Sequence, residues 1–161
     1  MTATTRISEQ ERHLDRGTRR PEILAWMRLA RIYHKIDRAT ADRLRRHELS
    51  VAQLDVLAQI GAREGITQKE LASALLVTKG NVCQLLDRME ARGLVERRTA
   101  RNERGNHLYL TEDGRRLRCT AVPSHQQLVV ERFAGLTPAE HRQLLALLRK
   151  LDQSLDHPEE D

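Results

Sequence analysis

The stretch ITQKELASALLVTKGNVCQLLDRMEARGLVERRTARNERGNHLYLTEDG, residues 66–114, decides the fold. Thr67 followed three residues later by Glu70 is a capping box, in which each side chain satisfies the other residue's backbone N–H. Ile66 and Leu71 flank it as a hydrophobic staple, which fixes how the chain enters the helix. Leu71, Ala72 and Leu75 then share one helical face. A turn at Leu76 and Val77 leads to Thr78, a second N-cap. Val82, Leu85, Leu86 and Met89 recur at helical spacing after it. Gly93 ends this second helix as a residue able to turn left-handed, with Leu94 folding back onto Met89.

Two short helices meeting at the small residue Ala72 make a helix-turn-helix. The next residues add a wing. Residues 94–99 and 106–110 read as two short strands, with Leu108 and Leu110 on one face and His107 and Tyr109 on the other. The polar loop between them holds Arg101, Asn102, Arg104 and Gly105. An arginine-tipped hairpin beside a recognition helix is suited to the DNA groove next to the one the helix enters. The fold class expected is mainly α with a small β-hairpin wing, a winged helix-turn-helix plus a helical dimerisation region.

The chain has 161 residues, enough for one core-bearing domain and an accessory element. Charged residues make up 32% and aromatics only 2%. That composition fits an aliphatic helical core and disfavours single-stranded nucleic-acid binding, which needs aromatic stacking platforms. The net charge of +5 is segregated. Residues 66–118 hold eleven Lys/Arg against seven Asp/Glu, whereas residues 137–161 hold three against six. Positive charge therefore gathers on the winged helix, where a phosphate backbone would lie. No apolar run is long enough to span a bilayer and no signal-peptide core is present, so a cytoplasmic location is expected. Cys83 and Cys119 form neither a disulfide framework nor a metal-finger spacing. His34 and His47 lack partners at ligand spacing, so no metal and no cofactor is expected.

Residues 1–20 read as a mobile N-terminal arm. Pro21 opens a helix to about Arg46 that carries Ile23, Trp26, Met27, Leu29, Ile32, Tyr33, Ile36 and Leu44. Trp26 and Tyr33 share a face, which reads as core or interface, with ligand contact as the alternative for Trp26. Ser50 and Gln53 form another capping box, stapled by Leu49 and Leu54, and open a helix over 51–60 that buttresses the helix-turn-helix. Asp55 interrupts the apolar run of this helix. It reads as an exposed turn residue or as the ion-pair partner of an arginine in the wing strands. Asp87 and Glu90 read as ion-pair partners of Arg88 and Arg92 on their own helix.

After the wing, Thr111 caps a long helix with Glu112 and Asp113 in its first turn, and Pro123 should kink it. Thr137, Pro138 and Glu140 combine N-cap, N1 and N3 signals for a last helix. Leu144, Leu145, Leu147, Leu148, Leu151 and Leu155 give that helix an apolar face too wide to leave in water. A second copy of the chain is the most economical cover. The expected division is 21–48 and 115–156 for dimerisation, 49–114 for DNA binding, and 157–161 as an acidic tail. No HExxH, GxSxG or glycine-rich phosphate loop is present, so no enzyme is expected.

The run LLVTKGNVCQLLDRMEARGLVERR, with Glu103–Arg104 near the wing tip and LYLTEDG after it, resembles the MarR family of winged-helix transcriptional regulators. The resemblance spans roughly residues 22–156. It implies that Thr78, Lys79, Gly80, Asn81, Gln84 and Arg88 line the DNA side of the second helix. Asn81 and Gln84 are suited to base edges, and Lys79 and Arg88 to phosphates. Gln68, Arg98, Arg101, Asn102 and Arg104 complete the candidate DNA-binding set. Arg104 matches the family's tip arginine, whereas Glu103 stands for the usual Asp, Gly105 for a second Arg, and the loop is one residue short.

The resemblance further implies a homodimer on a pseudo-palindromic operator in double-stranded DNA, most commonly a repressor. It also implies a small anionic or aromatic effector bound between the winged helix and the terminal helices, with Asp55 as the pocket carboxylate. Cys83 reads as a packed thiol or, alternatively, as an oxidation-sensitive trigger beside Lys79. Two other functions fit a bare winged helix: a protein-interaction module and a non-specific architectural DNA binder.

Overall fold

Residues 20–99 and 106–156 are described by the structure, a computed structural model. The elements run α1 (Pro21–Leu44), a short 3-10 turn (Arg45–His47), α2 (Val51–Ala62), β1 (Ile66–Thr67), α3 (Gln68–Ala74), α4 (Lys79–Ala91), β2 (Val95–Thr99), β3 (Asn106–Leu110), α5 (Glu112–Phe133) and α6 (Pro138–Asp156). Most of the expected arm (1–19) and the whole acidic tail (157–161) lie outside the described residues.

The helix starts are set by the local chemistry that the sequence carries. Ser50 accepts from the Gln53 N–H at 3.2 Å while the Gln53 side chain accepts from the Ser50 N–H at 3.0 Å. Thr67 and Glu70 repeat the arrangement, and Glu70 also takes a hydrogen bond from Arg63 at 2.7 Å. Thr78 caps α4 through the Asn81 N–H. At the other end of α4, Gly93 adopts φ +67. The Leu94 N–H bonds the Met89 carbonyl and the Gly93 N–H bonds the Glu90 carbonyl, the paired bonds of a Schellman stop.

The sheet has three strands in the order β1-β3-β2, one more than the sequence pattern provides. Ile66 and Thr67 pair with Leu108 and His107 while also serving as staple and N-cap of α3. The strand is two residues long, too short for an alternation to register, and its partner lies some forty positions away. In β3, Leu108 and Leu110 are buried and His107 and Tyr109 face partly outward, as the alternation requires.

The core belongs to the winged helix. Val56, Leu57 and Ile60 of α2, Leu71 of α3, and Val82, Leu86 and Met89 of α4 are all fully buried, joined by Leu108 from the sheet. The long helices contribute chiefly Leu44 and Ala121 to this cluster. Helix α5 continues through Pro123 and packs against α1 and α2. Its Ser124 carbonyl and hydroxyl take hydrogen bonds from Arg43 and Arg46 of α1. Helix α6 is capped by Thr137 and Glu140 as expected, yet none of its described side chains is buried.

Candidate nucleic-acid interface

Helix α4 is divided lengthwise. Val82, Leu86 and Met89 are sealed in the core, whereas Thr78, Lys79, Gly80, Asn81, Gln84 and Arg88 all lie exposed on the outer side. A helix of 13 residues with one face buried and the other lined by amides and cations can enter a groove without unfolding anything. Among the described residues no heavy atom beyond the helix's own backbone and chain neighbours lies within 4 Å of where a Gly80 Cβ would sit.

The turn before α4 is tighter than the sequence indicates. Leu76 takes φ +53, a left-handed conformation that costs a branched side chain roughly 1–2 kcal/mol. It is 93% exposed, so no buried contact of its own offsets that strain. The bonds that impose the turn are Val77 N–H to the Ala72 carbonyl and Leu76 N–H to the Ser73 carbonyl.

Gln68 starts α3, half-buried, with Nε2 3.8 Å from the Cys83 Sγ. Cys83 is itself half-buried rather than packed away, and Cys119 is exposed. Arg98 lies on β2 with its guanidinium 4.5 Å above the Tyr109 ring and ion-paired to Glu96. Arg101, Asn102 and Arg104 lie outside the described residues. The hairpin that would present them is closed at its base by Thr99 donating to Asn106 at 3.2 Å.

Asp87 and Glu90 do not pair with Arg88 and Arg92. Both are held by Arg97 of β2, which donates Nη2 to the Asp87 carboxylate at 2.6 Å and Nη1 to Glu90 at 2.5 Å. Arg97 is only 16% exposed in its side chain. Burial works against its charge, but the hydrogen bonds to the two acids outweigh that and raise the guanidinium pKa. Arg92 instead donates to the Glu48 carbonyl at 2.8 Å, tying the end of α4 to the entry of α2. Same-helix spacing rules favour i,i+3 and i,i+4 partners and cannot see a strand arriving from elsewhere. With Asp87 engaged by Arg97, Arg88 is left exposed and unneutralised by its neighbour.

Asp55 lies where α2 faces α4, in a cleft of about 350 Å³ that it shares with Asn81, Gln84 and Arg88 over a floor including Leu75 and Leu85. The lining of this cleft comes from the winged helix, while the Asp55 carboxyl also senses His125 of α5 and Asp37 of α1. Trp26 does not line it; that side chain stands 66% exposed on α1. Among the described residues no hydrogen bond or ion pair reaches Asp55. Although the residue as a whole is exposed, partial burial of its carboxyl raises its pKa. His125 opposes the shift and Asp37 adds to it.

The apolar faces of the long helices are open. Ile23, Trp26, Ile32 and Tyr33 on α1 and Leu147, Leu151 and Leu155 on α6 are each more than 40% exposed. Between the end of α5 and α6 runs an apolar groove of about 480 Å³ lined by Val129, Phe133 and Leu144 among others.

The sequence profile of the MarR family matches residues 47–105. A Bacillus cereus protein described as an HTH-type transcriptional regulator is 30% identical over 137 residues, 84% of this chain and 92% of the relative. The transcriptional regulator HosA of Escherichia coli O127:H6 is 35% identical over 106 residues, 65% of this chain and 78% of HosA. Among solved structures, a cysteine-to-serine mutant of MarR from E. coli complexed with operator DNA superposes with a TM-score of 0.73 and 32% identity. That match covers 81% of this chain and 95% of that one. AbsC of Streptomyces coelicolor shares the fold at TM-score 0.76 and 21% identity, over 93% of this chain and 97% of AbsC. The profile spans the helix-turn-helix and the relatives span most of the chain on either side of it, so the chain belongs to the MarR family of transcriptional regulators.

Proposed function

We propose that the chain is a homodimeric, sequence-specific repressor of double-stranded DNA that a small anionic or aromatic effector releases. The observation that carries this reading is the division of α4, with its apolar side sealed in the core and Asn81, Gln84, Lys79 and Arg88 open on the other. Asn81 and Gln84 would read base edges in the major groove, Lys79 and Arg88 would hold phosphates, and the hairpin would reach the flanking groove. Gln68, Arg98 and the tip residues Arg101, Asn102 and Arg104 would add contacts at the edges of this surface. Residues 49–114 would form the DNA-binding unit.

Residues 21–48 and 115–156 would form the dimerisation unit, because the exposed apolar faces of α1 and α6 need a cover that a second chain supplies. Two such units would place their recognition helices in successive major grooves, with half-sites ~10 bp apart. The cleft beside Asp55 and Arg88 supports binding of a small ligand that carries a group for the guanidinium.

The test is selection of duplexes from a random library, followed by a salt titration on selected and scrambled sequences. A palindromic consensus bound far more tightly than scrambled DNA is the expected result. Equal affinity and equal salt slopes on both would mean an architectural binder, and no binding to either would mean an interaction module.

A further inference from the structure

Among the described residues, strand β2 is an edge of the sheet, paired only with β3. An edge strand presents unpaired backbone groups on its free side. Here that side is fastened to the recognition helix. The Arg97 N–H donates to Glu90 at 3.3 Å, and the Arg97 guanidinium reaches the Asp87 and Glu90 carboxylates and the Cys83 carbonyl, the last at 3.3 Å. Positions 83, 87 and 90 form one stripe along α4, so a single side chain grips nearly two turns of the helix. Among the described residues its Nε is buried without an acceptor, whereas both terminal nitrogens bond the helix.

We infer that Arg97 is a positioning residue for DNA recognition, coupling the wing to the recognition helix so that both grooves are engaged in fixed register. The planar fork suits this role because charge-assisted bonds from its two terminal nitrogens to two separate carboxylates define an angle as well as a distance. A lysine would supply charge without the angle. The same clamp draws Asp87 and Glu90 into internal pairs on the helix that approaches phosphate. The inference rests on the DNA-binding reading above, and its test separates the two.

The decisive variant is Asp87→Ala with Glu90→Ala, which removes the acceptor oxygens along with the charges. It removes two negative charges near the DNA, so charge alone predicts tighter binding and a steeper salt dependence. Loss of the clamp predicts the opposite for the wing. Hydroxyl-radical footprints on the selected operator should lose the flanking protection, while the base preference read by α4 stays as in the wild type. Affinity should fall about tenfold, with a salt slope shallower by about 0.9 for each phosphate that the wing no longer neutralises. Arg97→Gln should show the same loss of flanking protection.

A second measurement needs no DNA. Spin labels on Ser73→Cys and Thr99→Cys, in a chain carrying Cys83→Ser and Cys119→Ser, report the distance between helix-turn-helix and hairpin. The clamp predicts one narrow distance distribution, broadened by Asp87→Ala with Glu90→Ala. Equal widths with and without the clamp would overturn the inference, as would a wild-type footprint in the double variant. Failure of the unsubstituted chain to select any duplex would instead overturn the regulator reading and leave the labels to decide the clamp.

Discussion

Gly114→Ala should destabilise the protein although it improves helix propensity. Gly114 is the buried third residue of α5, and a Cβ there would lie 2.0 Å from the Leu94 carbonyl oxygen and 3.0 Å from its carbon. That is more than an ångström inside ordinary contact, and the obstacle is backbone rather than a flexible side-chain tip. Leu94 cannot yield freely. Its carbonyl accepts the Thr111 N–H at 3.2 Å and its own N–H closes the Schellman stop of α4 at 2.9 Å. On the other side Gly114 donates to the Thr111 hydroxyl at 3.0 Å, and that hydroxyl donates to the Gly93 carbonyl at 2.6 Å.

Separating the two backbones enough to admit a methyl group breaks two or three of these bonds, each worth about 0.5–1.5 kcal/mol. Overpacking strain adds ~1–3 kcal/mol. The gain from replacing glycine in a helix offsets roughly 1 kcal/mol. The balance is a loss of roughly 1–6 kcal/mol, centred on ~3, read as a fall in Tm of about 10 °C in thermal unfolding at fixed chain concentration. Gly80→Ala is the control, because a Cβ there meets nothing within 4 Å, so propensity alone should act and Tm should hold or rise slightly. If Gly114→Ala matched Gly80→Ala, the close approach of α5 to the end of α4 would not be a constraint on the fold.

Glu70 is held at a pKa of about 2, against an ordinary 4.5, first by the Thr67 backbone N–H and then by the Thr67 hydroxyl, with Arg63 adding to both. A depressed carboxylate stabilises the fold above its unfolded pKa. This contribution should therefore be lost as pH falls from about 4.5 towards 2, and Glu70→Gln should flatten the stability profile in that window alone. Asp55 has the opposite sign. Its raised pKa means that the folded state prefers the neutral acid, so its contribution to stability is present at low pH and lost as pH rises. Asp55→Asn should therefore raise Tm at pH 7 and leave it unchanged near pH 3; a lower Tm at pH 7 would show a favourable partner for the carboxylate. Leu148→Asp with Leu151→Asp places two charges on the open face of α6, and light scattering should then report a monomer or an unfolded chain. A folded dimer carrying both substitutions would rule out this face as the interface.

Much of the candidate surface was legible because it depends on interactions within four residues. The Thr67–Glu70 and Ser50–Gln53 boxes, the Thr78, Thr111 and Thr137 caps and the Gly93 stop all satisfy orphan backbone groups with neighbours in sequence. Once those starts and stops are fixed, the 3.6-residue repeat places Val82, Leu86 and Met89 inward and Asn81, Gln84 and Arg88 outward. The helix-turn-helix and its exposed polar side need no long-range information.

Several features depend on where distant parts of the chain return, and no local pattern encodes that. Strand β1 exists because β3 arrives beside Ile66 and Thr67. Arg97 outcompetes Arg88 and Arg92 for Asp87 and Glu90 because the edge strand delivers a bidentate fork into partly buried surroundings, where paired charge is worth more than on an open helix face. Asp55 shares a cleft with Arg88 rather than with Trp26 because packing of α2 against α4, not spacing in sequence, decides which walls face each other. Periodicity marked α1 and α6 as apolar, but only the assembled chain shows that those faces are left uncovered. The sequence by itself determined where each helix begins, ends and points its apolar side, since short-range hydrogen bonds and periodicity suffice. The tertiary structure decided which charges pair and which surfaces remain open, because those depend on through-space proximity that chain connectivity alone does not set.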